Sequence, residues 1–254
     1  MINLFTRDMT YGARAKLGLI VPPTNTVNEA EWHKMVPDGV TFHVTRMPLH
    51  ADTSSVEGKK ALYADIKEAT EDLAQAGLSV ISYGCTAGSM VLPLNQLSDF
   101  MSVISGIPCI TTASSIVSAL NFLNIKKISI ATPYHEALNN HEVKFLADNG
   151  FETLQICGLG IGGGGPHEYI EIARTSLEDI KAHILSVDHP DAEAIIVSCT
   201  DFPSLSLIPA LEKELKKPVI SSNQATFWAA LRAADIKDHF KDFGILLTKH
   251  GQSE

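Results

Sequence analysis

Two Cys-Thr pairs carry the chemistry that can be read from this chain: Cys85-Thr86 in SYGCTAGS and Cys199-Thr200 in VSCTDFPS. Each cysteine directly follows an apolar, strand-like run and is followed by small polar residues, which places a thiol at the end of a strand. A thiol has an unperturbed pKa of ~8.5 and becomes a nucleophile or base when neighbouring donors favour the thiolate. Two thiols on opposite sides of one carbon can remove a proton from one face and deliver it to the other. Equally, one thiolate can add to an activated double bond while the second thiol supplies a proton. Cys109 and Cys157 lie inside apolar runs and read as buried packing residues.

The elements that would position these thiols follow a simple alternation. Strand-like runs occupy Leu17–Val21, Thr41–Arg46, Leu78–Tyr83, Lys127–Ala131, Phe151–Cys157, Ala194–Ser198 and Pro218–Ser221. Helical patterns fill Val56–Ala76, Ser114–Leu123, His135–Asn149, His167–Ser186 and Pro203–Leu215. Continuous apolar runs such as AIIVS suit strands covered on both faces, as in parallel sheets. The βαβα order predicts an α/β fold with helices over parallel sheets.

The chain also repeats itself. VPPTNT, SYGCTAGS and IPCITTASS return in the same order, at similar spacing, as ATPYHE, VSCTDFPS and KPVISSNQA. The expected organisation is a first half over 1–115, with 222–254 packing back on it, and a second half over 116–221. Ligands of open α/β sheets bind outside the carboxyl ends of the strands. The repeat therefore predicts that Cys85 and Cys199 face each other across one cleft.

Composition removes several function classes. The 254 residues are 45% hydrophobic and 19% charged, enough for a sizeable core and unlike a disordered chain. Twenty Lys and Arg against 29 Asp and Glu give a net charge of −9 with no basic run, which argues against nucleic acid as a partner. No apolar stretch reaches the ~18 residues of a membrane helix. The opening MINLFTRDMTYGARA does not read as a leader. The cysteines form no CxxC and no cluster with histidine, so neither a metal site nor a disulfide framework is expected, and separated free thiols point to the cytoplasm.

VPPTNT, GCTAGS, ATPY and SCTDFPS together resemble the aspartate/glutamate racemase superfamily, and more closely its branch of maleate cis–trans isomerases and arylmalonate decarboxylases. The resemblance runs from about Leu17 to Leu247. It implies two Rossmann-like halves with the active site between them, no cofactor or metal, a small carboxylic-acid substrate and a homodimer. By the same resemblance Cys85 and Cys199 are the catalytic pair. Asn25 holds a substrate carboxylate, Tyr134 donates to a carboxylate or enolate oxygen, and Thr86 and Thr200 complete the oxyanion contacts.

Three departures refine the expectation. The decarboxylases resemble PVISSNQATFWAALR but carry only the second cysteine, so Cys85 argues against simple decarboxylation. Racemases often have His after the second Cys-Thr, where Asp201 stands here. The isomerases have an Asn-containing loop where this chain has GLGIGGGGPHE, which leaves the contact to the distal carboxylate open. The leading expectation is maleate-to-fumarate isomerisation; the alternatives are amino-acid racemisation, decarboxylation of a substituted malonate, and a non-catalytic small-acid binding protein.

Weaker signals read as structural. Gly158–Gly163 fits GxGxxG but lacks an acidic residue at the required distance, so it reads as a glycine loop over the cleft, able to close on substrate. The ten histidines show no ligand spacing. Ser114-Ser115 and Ser221-Ser222 read as cap and loop residues.

Overall fold

A computed structural model describes residues 9–50 and 55–249. Residues 1–8, within the opening stretch MINLFTRDMTYGARA, and 250–254, at the end of the C-terminal segment, lie outside the described residues. The first half runs β1 (Ala15–Val21), α1 (Asn28–Met35), β2 (Val40–Arg46), α2 (Val56–Ala74), β3 (Val80–Tyr83), α3 (Thr86–Ser89), α4 (Gln96–Ser105), β4 (Cys109–Thr111) and α5 (Thr112–Phe122). The second runs β5 (Lys127–Tyr134), α6 (Glu136–Asp148), β6 (Glu152–Ile161), a 3-10 segment (Pro166–Arg174), α7 (Leu177–Ser186), β7 (Ala194–Val197), a short 3-10 turn (Leu205–Leu207), α8 (Ile208–Leu215), β8 (Val219–Ser221), α9 (Ser222–Ala233) and α10 (Ile245–Thr248).

Two four-stranded sheets result, ordered β2-β1-β3-β4 and β6-β5-β7-β8, with every pairing parallel. The second order repeats the first, strand for strand, so the α/β fold with two pseudo-symmetric halves is present. The central strands β3 and β7 are fully buried, as continuous apolar runs require. Each fully buried Ile or Val there stabilises the fold by about 1.5–3 kcal/mol.

One apolar core joins the halves through α5, α9 and residues such as Trp32, Ile116 and Phe227; a second packs α2 and α4 under the first sheet. α9 follows β8 as α5 follows β4, and Thr111 and Ser221 cap the two helices through their hydroxyls. The two helices lie against each other, and α9 also touches α1, β3 and β4 of the first half. The expected division at 115/116 falls inside α5.

Several elements differ from the sequence reading. The helix expected over His167–Ser186 is broken: a 3-10 segment ends at Arg174, and Ser176 caps a separate α7 by accepting from Asp179 N–H. The pattern over Pro203–Leu215 likewise starts as a 3-10 turn. α1, α3, α4, α9 and α10 form where no helix was expected. Cys157 is exposed, because β6 is an edge strand with an open outer face. Cys109 is buried, as expected. Among the described residues no helix is long and apolar enough to cross a membrane.

Candidate active site

The carboxyl ends of β1, β3, β5 and β7 meet around one cavity of about 480 Å³. Cys85, Cys199, Asn25, Thr86, Tyr134 and Thr200 all line it, so every residue singled out in the sequence converges on one place.

Cys85 caps α3, and its Sγ accepts a hydrogen bond from Gly88 N–H at 3.4 Å. The Tyr83 hydroxyl donates to the same sulfur. Gly88 has to be glycine for this to work: a Cβ there would collide with Tyr83 Oη and sit 3.0 Å from Cys85 Sγ. Cys199 follows β7 with φ of 93°, a left-handed conformation that costs a non-glycine residue on the order of 1–3 kcal/mol. Its N–H donates to Ser222 Oγ at 3.1 Å, and its Sγ accepts from Asp201 N–H at 3.4 Å and from the Tyr134 hydroxyl. Each thiol therefore has a tyrosine donor and a backbone donor, one set per half. Burial raises both tyrosines well above their ordinary range, which keeps them protonated as donors.

Both sulfurs titrate above the ordinary range, whereas neighbouring donors were expected to pull them toward neutrality. Burial outweighs the donors. It raises Cys85 against the pull of Gly88 and Tyr83. It pushes Cys199 up to about 12, with Asp201 and Cys85 adding unfavourable negative charge. Burial thus favours the neutral thiol at both positions.

Hydroxyls beneath the sulfurs tie the two halves together. Thr86 Oγ1 donates to Ser222 Oγ at 2.9 Å, Thr226 Oγ1 to Thr112 Oγ1 at 3.1 Å, and Thr112 Oγ1 to the Tyr83 carbonyl at 3.2 Å. Ser222 and Thr112 open α9 and α5, so the paired helices set the height of both cysteine loops.

Asn25 is 2% exposed and nearly saturated. Its Oδ1 accepts from Val27 and Asn28 N–H, and its Nδ2 donates to Thr200 Oγ1 at 3.0 Å, which itself donates to the Gly84 carbonyl at 3.1 Å. One amide N–H remains for a ligand. Arg46 fixes the loop from behind by donating to the Pro22 and Asn25 carbonyls. Asp201 Oδ1 accepts from Thr26 and Val27 N–H, and Glu31 accepts from Ser204, Leu205 and Asn223.

The glycine run 162–165 folds onto Glu168, whose carboxylate accepts from Gly162 and Gly164 N–H. It delivers Pro166, Tyr169 and Ile172 to the cavity wall. Gly158 serves strand packing instead, since a Cβ there would collide with the Tyr134 carbonyl. Tyr83, Tyr169 and Glu142 were not singled out in the sequence. Tyr83 ends the fully buried β3, two residues before Cys85, where its residue type reads as packing. Glu142 comes from a helix 56 residues away in sequence from its partner Ser198, and no motif marks it.

Glu142 is buried behind Tyr134, with Oε2 accepting from Ser198 Oγ at 2.9 Å and Oε1 without a partner. Burial raises it to about 7. An unfolded glutamate titrates near ~4.3, so the native state holds the extra proton between these values. This stability is complete below the unfolded pKa and is lost as pH rises through about 7. Asp201, raised to about 6, contributes with the same sign. Glu142→Gln keeps the acceptor for Ser198 and removes the ionisation. It should stabilise the protein at pH 8 by about 3 kcal/mol and flatten the decline in Tm between pH 5 and 8. An unchanged slope in calorimetry would place the decline elsewhere.

A pseudo-symmetric pair of parallel sheets, each presenting a tyrosine-bonded cysteine to a shared cavity, defines a two-thiol α/β enzyme scaffold. The chain belongs to the arylmalonate decarboxylase family, whose sequence model matches residues 17–247. It is 28% identical to the arylmalonate decarboxylase of Bordetella bronchiseptica over 229 residues, covering 89% of this chain and 93% of the relative. The maleate isomerase of Pseudomonas putida S16, solved with maleate, superposes with a TM-score of 0.83 at 25% identity, covering 94% of this chain and 98% of that one. A mutant of the Nocardia farcinica maleate cis–trans isomerase, solved with a covalently bound succinylcysteine intermediate, matches with a TM-score of 0.82 at 26% identity, over 94% and 99% of the two chains.

Proposed function

We propose that this protein is a two-cysteine cis–trans isomerase of a small dicarboxylic acid, converting maleate to fumarate without a cofactor. The observation that carries this reading is the pair of strand-end thiols, each with its own tyrosine and backbone donors, lining one cavity. A single-thiol decarboxylation has no use for Cys85.

The site divides the labour by charge. Cys199 has Asp201 beside it and holds its proton, the state a general acid needs. Cys85 has Gly88 N–H and the Tyr83 hydroxyl to hold a thiolate, with no carboxylate among the groups that shift it. Cys85 first releases its proton to water in the open cavity; the thiolate then adds to one alkene carbon, and the π pair moves onto the other carbon and its carboxylate as an enediolate. The remaining Asn25 N–H, the Thr86 and Thr200 loops and the Tyr134 hydroxyl, whose single proton turns from Cys199 Sγ to the substrate, receive the oxygens. The Cys199 thiol protonates the carbon. The former double bond, now single, rotates; Cys199 takes the proton back and Cys85 leaves, giving the trans alkene. Free thiols at the reacting centre suit a reducing compartment, the cytoplasm.

Chelator-treated protein incubated with maleate should produce fumarate, read as replacement of one vinyl proton signal by the other. Absence of fumarate, with deuterium entering Cα of aspartate or glutamate, would transfer the assignment to a racemase.

A further inference from the structure

A dianionic substrate needs a partner for its second carboxylate. Near the sulfurs the donors are neutral, and Asp201 adds negative charge. Further along, the cavity is lined by Met47, Leu62, Val91, Leu138 and Ile172. An uncompensated carboxylate against that wall would lose much of its solvation.

One lysine and no arginine lines the cavity among the described residues: Lys59. It stands in the first turn of α2, three residues before Leu62, so both lie on the cavity face of the helix. It is half-buried. Its ammonium has no ion-pair partner among the described residues, whereas Lys67, Lys144, Lys181 and Lys217 each meet a carboxylate. Of the two imidazoles in the same wall, His141 Nε2 lies 3.0 Å from the Met90 carbonyl and is engaged, while His50 Nε2 makes no hydrogen bond but lies 2.9 Å from Asp65 Oδ2, a carboxylate whose charge opposes a second carboxylate at that place. The glycine run 162–165 carries no side chain to take the role.

We infer that Lys59 binds the second carboxylate of the substrate and makes the site select diacids over monoacids. The inference rests on the isomerase reading only in taking the substrate to be a diacid. A lysine suits this position because its flexible stem can carry a point charge along an apolar wall to wherever the distal carboxylate falls.

Succinate and butyrate, saturated acids of equal length, separate the charge contribution from turnover. Calorimetry on the full chain should show succinate binding ~10–100-fold more tightly than butyrate, the range of a charge-assisted hydrogen bond. Lys59→Gln should lose at least ~10-fold for succinate and within ~2-fold for butyrate, and Lys59→Arg should retain most of the preference. With maleate, KM should rise more than kcat falls in Lys59→Gln. Succinate binding unchanged in Lys59→Gln, or succinate and butyrate weakened equally, would overturn the assignment. Failure of the isomerase reading would show separately, as wild-type protein that does not turn over maleate, while the succinate comparison still reports on Lys59.

Discussion

Serine at position 85 or 199 is expected to lower kcat with maleate by on the order of 10²–10⁴, the range for losing a positioned nucleophile, acid or base. The double variant should fall little further than the worse single one, because the thiols act on one substrate as a unit. Serine keeps the size and the hydrogen bonds but is a far weaker nucleophile and acid at neutral pH. At position 85 it would still accept from Gly88 N–H and Tyr83, so the loop should stay folded. At position 199 the N–H to Ser222 is unchanged. Near-normal activity in Cys85→Ser, with loss in Cys199→Ser, would contradict the two-thiol account and favour single-cysteine chemistry of the decarboxylase kind.

Asn25 should show the next largest effect. Its side chain does three things: it accepts the first N–H groups of α1, it holds Thr200, and it leaves one N–H toward the cavity. Asn25→Ala removes all three. Loss of a preorganised oxyanion donor costs ~10²–10³ in rate, and loss of the hydrogen bonds from Val27 and Asn28 N–H at the entry to α1 costs about 1 kcal/mol of stability. Asn25→Asp keeps only the first role: its carboxylate still accepts from Val27 and Asn28 N–H, but it no longer donates to Thr200 and is a buried charge, so Tm should fall as well. It has no N–H to offer and puts a negative charge beside the substrate. kcat/KM should therefore fall at least as far as in Asn25→Ala. An active Asn25→Asp enzyme would remove Asn25 from carboxylate binding.

Much of this site can be read along the chain because its parts sit at strand ends. Strands such as AIIV are recognisable by continuous apolarity, and the residues just after such a strand in a parallel sheet lie at the ligand edge. The internal repeat places the second thiol by analogy with the first. Tyr83 is hidden because a tyrosine in a buried strand looks like packing until its hydroxyl is seen on Cys85. Glu31 and Glu142 are hidden because their meaning lies in partners distant in sequence: Glu31 accepts from Ser204 and Leu205 across the join between the halves. The short β4 of three residues carries too little pattern to register as a strand run of its own. Cys157 misleads for the opposite reason. Its run is apolar, but edge position, which decides exposure, is a property of the sheet order and not of the run. The thiol pKa values also cannot be read locally, since burial, which the flanking residues do not reveal, dominates their donors.

The central claim is that Cys85 forms the bond to carbon and Cys199 moves the proton. Mass spectrometry of Cys199→Ser after incubation with maleate tests it most directly: water can still protonate the enediolate, whereas breakdown needs a base to take the proton back from carbon, and that base is gone, so the covalent state should persist. The account predicts an adduct with the added mass of one maleic acid, located by peptide mapping on Cys85 and absent from Cys85→Ser. An adduct on Cys199 in Cys85→Ser, with none on Cys85 in Cys199→Ser, would reverse the roles and contradict the account.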